Sequence, residues 1–119
     1  MVIAVYGTLR RGLENHALLE NGGACYIGTD SVAGFDLYAG QYPYLTPGEG
    51  VVAVELYEVT ASCLSDLDTL EGHPTLYERT SILTVGCVKA DIYLYSKYKI
   101  LPGTPKTQGD WIEWLELQK

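Results

Sequence analysis

The sequence predicts an α+β fold: a small mixed sheet, mostly antiparallel and curled towards a barrel, with two or three short helices packed outside. Strand patterns outnumber helix patterns, at roughly six against two or three, and short connections join most of them. Strict alternation of strands and helices is absent, which argues against a doubly wound fold. The 119 residues suit a single domain, 1–119, because domains commonly have about 100–150 residues.

In the first half of the chain, glycine and proline separate the apolar segments. Val2–Tyr6 is apolar throughout, which predicts a strand in the centre of the sheet. Cys25–Val32 and Phe35–Ala39 predict two strands around Gly34. The segment Gly40–Gly50 contains two prolines and three glycines, and it is therefore predicted to be a loop.

The second half contains a predicted strand at Val51–Val59 and a hairpin formed by Arg79–Val85 and Cys87–Tyr95 about Gly86. Side chains alternate between the two faces of a strand, so apolar residues at every second position share a face. Such residues are Val52, Val54 and Leu56 in the first of these strands and Val88, Ala90, Ile92 and Leu94 in the last.

Three helices are predicted. One is short, His16–Glu20; one is Ala61–Glu71, with Thr60 as its N-cap; and one begins near Asp110 with that residue as its cap. Their apolar positions recur at helical spacing, as Leu64, Leu67 and Leu70 in the second helix and Trp111, Trp114 and Leu115 in the third.

Composition and charge limit the partners. The net charge of -7 argues against nucleic acid, because phosphate binding needs clustered Lys and Arg. No apolar run approaches the ~18 residues needed to cross a membrane, and the N-terminus lacks the features of a signal peptide. Three cysteines, an odd number with no CxxC pair, favour a reducing cytoplasm. No motif implies a metal or nucleotide cofactor, and the oligomeric state is left open.

Glu71 is the most informative residue for chemistry. It follows Leu67 by four positions and Leu64 by seven, so helical geometry directs it towards the core. Burial should raise the pKa of its carboxyl above roughly 4.3, towards the range useful for a general acid or base. The alternative is a surface glutamate at a fraying helix end beside Gly72.

A second candidate site is the turn Tyr6-Gly7-Thr8-Leu9. The chain leaves a buried strand and meets glycine at once, a pattern that can present backbone N–H groups to a carboxylate or an oxyanion. An ordinary strand-ending turn would give the same sequence. His16 and His73 have no ligand-like spacing around them and are interpreted as structural or surface residues.

Two segments resemble signatures of the gamma-glutamylcyclotransferase-like family. VYGTLRRGLENH, at Val5–His16, is similar to its opening motif, most closely in the gamma-glutamylamine cyclotransferase branch. LDTLEGHPTLYER, at Leu67–Arg79, resembles its second motif. The segments Gly50–Tyr57, Leu94-Tyr95-Ser96 and Gly109-Asp110-Trp111 also fit the pattern, so the resemblance covers nearly the whole chain.

The resemblance implies a small β-barrel with outer helices and an enzyme that releases 5-oxoproline and a free amine from a small gamma-glutamyl substrate. By position, the catalytic acid/base would be Glu71. The expected substrate-binding residues are Tyr6, Gly7, Thr8 and Leu9 in the turn, with Tyr44, Tyr77 and Tyr95 as candidates for the pocket wall. Arg79 would either meet a substrate carboxylate or form an ion pair within the fold.

Two other functions compete with this interpretation. The same pocket could hold a small metabolite without turning it over, because a fold does not fix a function. An inward glutamate weighs against simple binding of an anion. A structural or interaction role for the tyrosine-rich surface would leave the paired motifs unexplained.

Overall fold

The fold is built around a short central strand. The computed structural model describes residues 1–95 and 100–119. Its elements, in chain order, are strand β1 (Val2–Val5), helix α1 (His16–Asn21), strands β2 (Cys25–Ala39) and β3 (Pro43–Glu58), helix α2 (Ala61–Glu71), strands β4 (Tyr77–Leu83) and β5 (Lys89–Tyr95), and helix α3 (Trp111–Leu117).

These strands form one sheet in the order β2-β3-β1-β5-β4. The pairs β2–β3, β1–β3 and β4–β5 are antiparallel, whereas β1 and β5 run parallel. Ile3, Ala4 and Val5 are all buried, as the continuous apolar run predicts for a strand with neighbours on both sides. The predicted α+β class and central first strand are confirmed.

The predicted barrel is only approximate. The edge strand β2 approaches the turn that follows β4, where the Val85 N–H donates to the Ser31 carbonyl at 2.8 Å and the Gly86 N–H donates to Asp30 Oδ1 at 3.0 Å. Among the described residues no strand ladder continues across this seam. The sheet is therefore strongly curled without being closed.

The prediction of a loop over Gly40–Gly50 is wrong. Only residues 40–42 turn the chain, and β3 begins at Pro43. A proline is tolerated as the first residue of a strand, and Pro47 lies opposite Phe35 beside an irregularity in the β2–β3 register, where ladder bonds are interrupted. The two strands predicted around Gly34 are likewise one strand, β2, with register shifts at Tyr26/Gly28 and Ala33/Phe35.

Two apolar clusters lie on opposite faces of the sheet. One joins the predicted alternating residues of β3 and β5 to Trp111, so α3 packs on this face. The other contains Ile3 and Val5 of β1 with Leu19 of α1 and Leu67 of α2. The alternating apolar faces predicted for these two strands are confirmed. Helices α1 and α2 cover the side of the sheet opposite to α3.

Side-chain caps fix where two helices begin. Thr60 Oγ accepts from the Cys63 N–H at the start of α2, and Asp110 Oδ1 accepts from the N–H groups of Ile112 and Glu113 at the start of α3. Both caps agree with the sequence prediction. Among the residues that the structure describes, no helix combines the length and apolar character needed to cross a membrane.

Gly109, which precedes the α3 cap, should be intolerant of any side chain. Its φ is +99°, and an added Cβ would collide with the Val51 carbonyl oxygen of β3. Gly103 has a similar φ of +87° but faces open space. We expect Gly103→Ala to lower the free energy of unfolding by about 1–2 kcal/mol through backbone strain, and Gly109→Ala to lower it by clearly more. Urea unfolding measures both, and equal losses would contradict the predicted collision.

Candidate active site

A cavity of about 260 Å³ opens where β1 ends. Its walls come from the turn after β1, the β2–β3 hairpin, the end of α2, and strands β4 and β5. The lining residues are Ala4, Val5, Tyr6, Gly7, Thr8, Leu9, Asn15, Tyr42, Pro43, Leu70, Glu71, Leu76, Tyr77 and Tyr93. The cavity therefore brings together the two segments that sequence motifs singled out, the Tyr6–Leu9 turn and Glu71.

The Tyr6–Leu9 turn forms part of the wall of this cavity. The Arg10 N–H closes the turn on the Gly7 carbonyl at 3.0 Å. A Cβ on Gly7 would lie 2.6 Å from Pro43 Cγ, so the close approach of the turn to β3 requires glycine there. Between described residues, no hydrogen bond joins the N–H of Thr8 or Leu9 to an acceptor, which leaves both donors available to a ligand.

A buried carboxylate in β3 holds the end of this turn in place. Glu55 accepts from Arg10 Nε at 3.0 Å, from the Arg11 N–H at 2.9 Å and from the Tyr57 hydroxyl at 2.8 Å. Burial alone would raise the pKa of the Glu55 carboxyl, but these three donors outweigh burial and hold the pKa below its usual value. Arg10 also binds Asp110, and so ties the turn to the cap of α3.

Glu71 is the last residue of α2 and lies partly buried in the cavity wall. Burial raises the pKa of its carboxyl to about 7. Among the described residues no donor is hydrogen-bonded to this carboxylate, and burial is the cause of the raised pKa. A carboxyl with this pKa can both accept and return a proton at neutral pH.

Three tyrosines of the cavity wall have hydroxyl groups that donate to acceptors within the protein. The hydroxyls of Tyr6 and Tyr77 donate to the carbonyls of Tyr93 and Pro43, at 2.7 and 2.6 Å. The Tyr93 hydroxyl donates to Asp68 at 2.7 Å. Burial, and to a smaller extent the charge of nearby groups, raises the pKa of all three phenols. They remain neutral, and Glu71 is left as the wall residue that titrates near pH 7.

Of the three tyrosines expected in the pocket wall, Tyr77 lines the cavity. Tyr44 and Tyr95 are not among the lining residues; their rings lie 4.4 Å apart between centroids, and the Tyr95 ring lies 5.8 Å from that of Tyr77. They support the wall from outside it. Ser96, which the late motif includes, lies outside the described residues.

Arg79 forms the structural ion pair that was one of its two expected roles. Its guanidinium binds Asp68 at 2.9 Å and Asp91 at 2.8 Å, bridging α2 to β5. His73 Nδ1 accepts from the Arg79 N–H, and His16 Nδ1 is hydrogen-bonded to the Leu9 carbonyl. Both histidines therefore support backbone geometry, in agreement with the sequence interpretation.

Sequence reasoning missed three polar or aromatic residues of the wall: Asn15, Tyr42 and Tyr93. Asn15 belongs to the quoted G-x-x-N-H stretch, so a motif pointed to it without giving it a role. Tyr42 lay in the segment interpreted as a long loop, and Tyr93 looked like any other strand tyrosine.

Comparison with known proteins places this geometry in context. A family model described as gamma-glutamyl cyclotransferase, AIG2-like, matches residues 3–113. A putative gamma-glutamylcyclotransferase of Pyrococcus horikoshii is 41% identical over 69 residues, which are 58% of each chain. The gamma-glutamylaminecyclotransferase of Rattus norvegicus is 42% identical over 90 residues, 67% of this chain and 60% of that protein. The matches thus span about three fifths of these relatives.

Solved structures share the whole architecture. The crystal structure of a Pyrococcus horikoshii protein has a TM-score of 0.83 at 30% identity, covering 99% of this chain and 94% of that one. The likeness at this identity extends through the turn after β1 and through α2, the two elements that build the cavity.

Glu71→Gln should stabilise the protein increasingly as the pH rises. The folded carboxyl keeps its proton to about pH 7, whereas the unfolded one releases it near 4.5, so the contribution of Glu71 to wild-type stability is fully present below 4.5 and is lost as the pH rises through about 7. Glutamine does not titrate, and its advantage should grow by on the order of 3 kcal/mol across this window. Urea unfolding between pH 4 and pH 8 measures the difference.

The control for this experiment is Glu78→Gln, which changes an exposed glutamate of β4. If the free energy of unfolding rose with pH by the same amount in both variants, the effect would not come from Glu71.

Proposed function

We propose a reaction for this chain, which belongs to the gamma-glutamyl cyclotransferase, AIG2-like family: it releases 5-oxoproline and a free amine from a gamma-glutamyl amine or peptide. One observation carries the proposal. Glu71, with a pKa raised to about 7 by burial, lines the same cavity as Thr8 and Leu9, whose N–H groups have no acceptor among the described residues.

In the proposed complex the glutamyl head occupies the end of the cavity formed by the turn. The N–H groups of Thr8 and Leu9 supply donors for its oxygen atoms. Such backbone donors keep a fixed direction because Arg10 and Arg11 are anchored on Glu55. A fixed set of donors binds a carboxyl or carbonyl oxygen without having to reorganise first.

Ring closure begins with a proton transfer. Glu71 removes a proton from the α-ammonium group of the substrate, and the freed amine attacks the γ-carbonyl carbon of the same molecule. A C–N bond forms, and the carbonyl electrons move to its oxygen. Reaction within one molecule gains greatly from a held geometry, because the two reacting atoms are already close.

The second half of the reaction breaks the original amide bond. The oxyanion of the tetrahedral intermediate is stabilised by donors of the turn, with the Thr8 hydroxyl among them. Its electrons return to re-form the carbonyl, the bond to the leaving nitrogen breaks, and Glu71 gives its proton to that nitrogen, which leaves as an amine. Glu71 then takes the second proton from the ring nitrogen and passes it to that amine, which departs as its ammonium ion. The products are 5-oxoproline and the free amine, and Glu71 returns to its starting charge.

The leaving amine would lie against the apolar part of the cavity. Leu70 and Leu76, both partly exposed at the mouth, and Tyr42 of the hairpin provide this surface. The rat relative is a gamma-glutamylaminecyclotransferase, and substrates of the gamma-glutamylamine type are therefore our first choice. We also propose that residues 1–119 act as one domain, in the cytoplasm and without a cofactor.

Glu71→Gln should lower the rate of 5-oxoproline release by about 10² to 10⁴, the usual effect of losing a general acid/base. The amide has nearly the shape of the carboxyl but cannot carry the proton. Product release is measured on a panel of gamma-glutamyl amines and dipeptides, with Glu78→Gln as the matched control. A fully active Glu71→Gln enzyme would remove this residue from the chemistry.

The same panel separates catalysis from simple binding. Calorimetric binding of panel compounds to wild-type protein with no product formed would favour the non-catalytic alternative, a small-metabolite binding module on the same fold.

Activity should also rise with pH through the pKa of Glu71. The free enzyme is competent only when this carboxyl is ionised, so kcat/KM is expected to increase tenfold per pH unit below about 7 and to level off above it. Initial rates from pH 5 to pH 9 give the profile. If the residual kcat/KM of Glu71→Gln still fell at low pH with the same midpoint, that pKa would belong to another group.

A further inference from the structure

We propose that Asn15 is a positioning residue that sets the direction in which the Thr8 hydroxyl donates its hydrogen bond. The inference rests on the proposed function, because it assigns that hydroxyl to the oxyanion of the cyclisation reaction. Both residues line the cavity.

Two hydrogen bonds hold Asn15 to Thr8. The side-chain Nδ2 of Asn15 donates to Thr8 Oγ1 at 2.8 Å, and the Asn15 backbone N–H donates to the Thr8 carbonyl at 3.0 Å. The two bonds thus join residues seven positions apart and close the segment between them into a loop. Neither bond involves a charged group, so its geometry persists across the pH range in which Glu71 titrates.

The direction of the first bond determines what the hydroxyl can do. An amide NH₂ group only donates, so Thr8 Oγ1 must use a lone pair to accept it. The hydroxyl hydrogen is then excluded from the side facing Asn15. Among the described residues this hydrogen has no acceptor of its own, and Thr8 lies in the cavity wall. The O–H bond is left to donate to an acceptor inside the cavity.

The Asn15 side chain does not make the hydrogen bond that its position in the chain favours. Asn15 occupies the N-cap position of α1, where asparagine side chains commonly accept from a backbone N–H of the first turn. Its side chain makes no such cap bond. Thr60 and Asp110, the caps of α2 and α3, both do. At α1 the stabilisation that a cap would supply is given up, and the amide bonds to Thr8 instead.

A donor that is aimed before the substrate binds acts on the transition state. Negative charge develops on the carbonyl oxygen only as the ring closes, so an oriented O–H lowers that barrier more than it improves binding. Loss of the orientation should therefore appear in kcat, with a smaller change in KM. A purely structural role of Asn15 would instead alter folding, or binding and turnover together.

The test is a double-mutant cycle on the full chain, with 5-oxoproline release as readout. Thr8→Val should lower kcat by about 10-fold to 10²-fold, since it removes one oxyanion donor. Asn15→Asp offers only acceptor oxygens, which would draw the Thr8 hydroxyl away from the cavity, and it should lower kcat to a similar extent. Asn15→Leu removes the amide without adding charge and should give a smaller loss.

The decisive result comes from the Thr8→Val background, where no hydroxyl is left to orient. In that background we expect Asn15→Leu to change kcat less than twofold. We expect Asn15→Asp to lower kcat less than it does in the wild type, because only the effect of the new negative charge is left. Equal losses with and without the Thr8 hydroxyl would overturn the proposal, as would a rise in KM at unchanged kcat.

Controls separate this inference from folding and from the proposed function. Asn21→Leu changes an exposed asparagine at the other end of α1 and should leave kcat unchanged. Circular dichroism and urea midpoints identify variants that fail to fold. An active wild type with additive effects of Asn15 and Thr8 sinks the positioning role alone, whereas a wild type that releases no 5-oxoproline from any panel compound sinks both proposals.

Discussion

The buried carboxylate of Glu55 is the interaction on which the rest of the site depends. It lies near the end of β3 and is almost inaccessible to water. Three donors satisfy it, two from the residues directly after the turn and one from β3 itself. An unpaired charge there would be strongly destabilising, and the turn can leave its position only by breaking the bonds that Arg10 and Arg11 make to it. Through Arg10 and Asp110 the same network also fixes the start of α3 on the opposite face of the sheet.

The contrast between Glu55 and Glu71 shows how one residue type serves two purposes. Both lose water on folding. Donors surround Glu55, and its pKa falls; no described donor reaches Glu71, and its pKa rises to about 7. The first glutamate is a permanent anion that holds structure. The second can change its charge at neutral pH, because burial raises its pKa and none of the described residues donates a hydrogen bond to it.

Helical periodicity pointed Glu71 towards the core, and a glycine directly after a buried strand marked the turn, but each pattern had an ordinary structural alternative. The structure brings both segments to one cavity. Glu55 escaped sequence reasoning because it shares the outward-facing positions of β3 with Val51 and Ala53, and alternation does not reveal which of these the turn will cover. The prolines of Gly40–Gly50 led to the wrong prediction of a loop for a related reason. A proline breaks a strand only where its missing N–H is needed, and that depends on the partner strand.

The cavity combines satisfied and unsatisfied groups in a way that packing alone would not produce. The hydroxyls of Tyr6, Tyr77 and Tyr93 all find acceptors within the protein, as buried polar groups normally do. The N–H groups of the turn, the Thr8 hydroxyl and the Glu71 carboxyl do not, among the residues described. Two kinds of donor and one proton acceptor without partners among the described residues therefore lie at the same cavity. A ligand that carries oxygen acceptors and an ammonium donor would pair with them, and a gamma-glutamyl group carries both within a few bonds of each other.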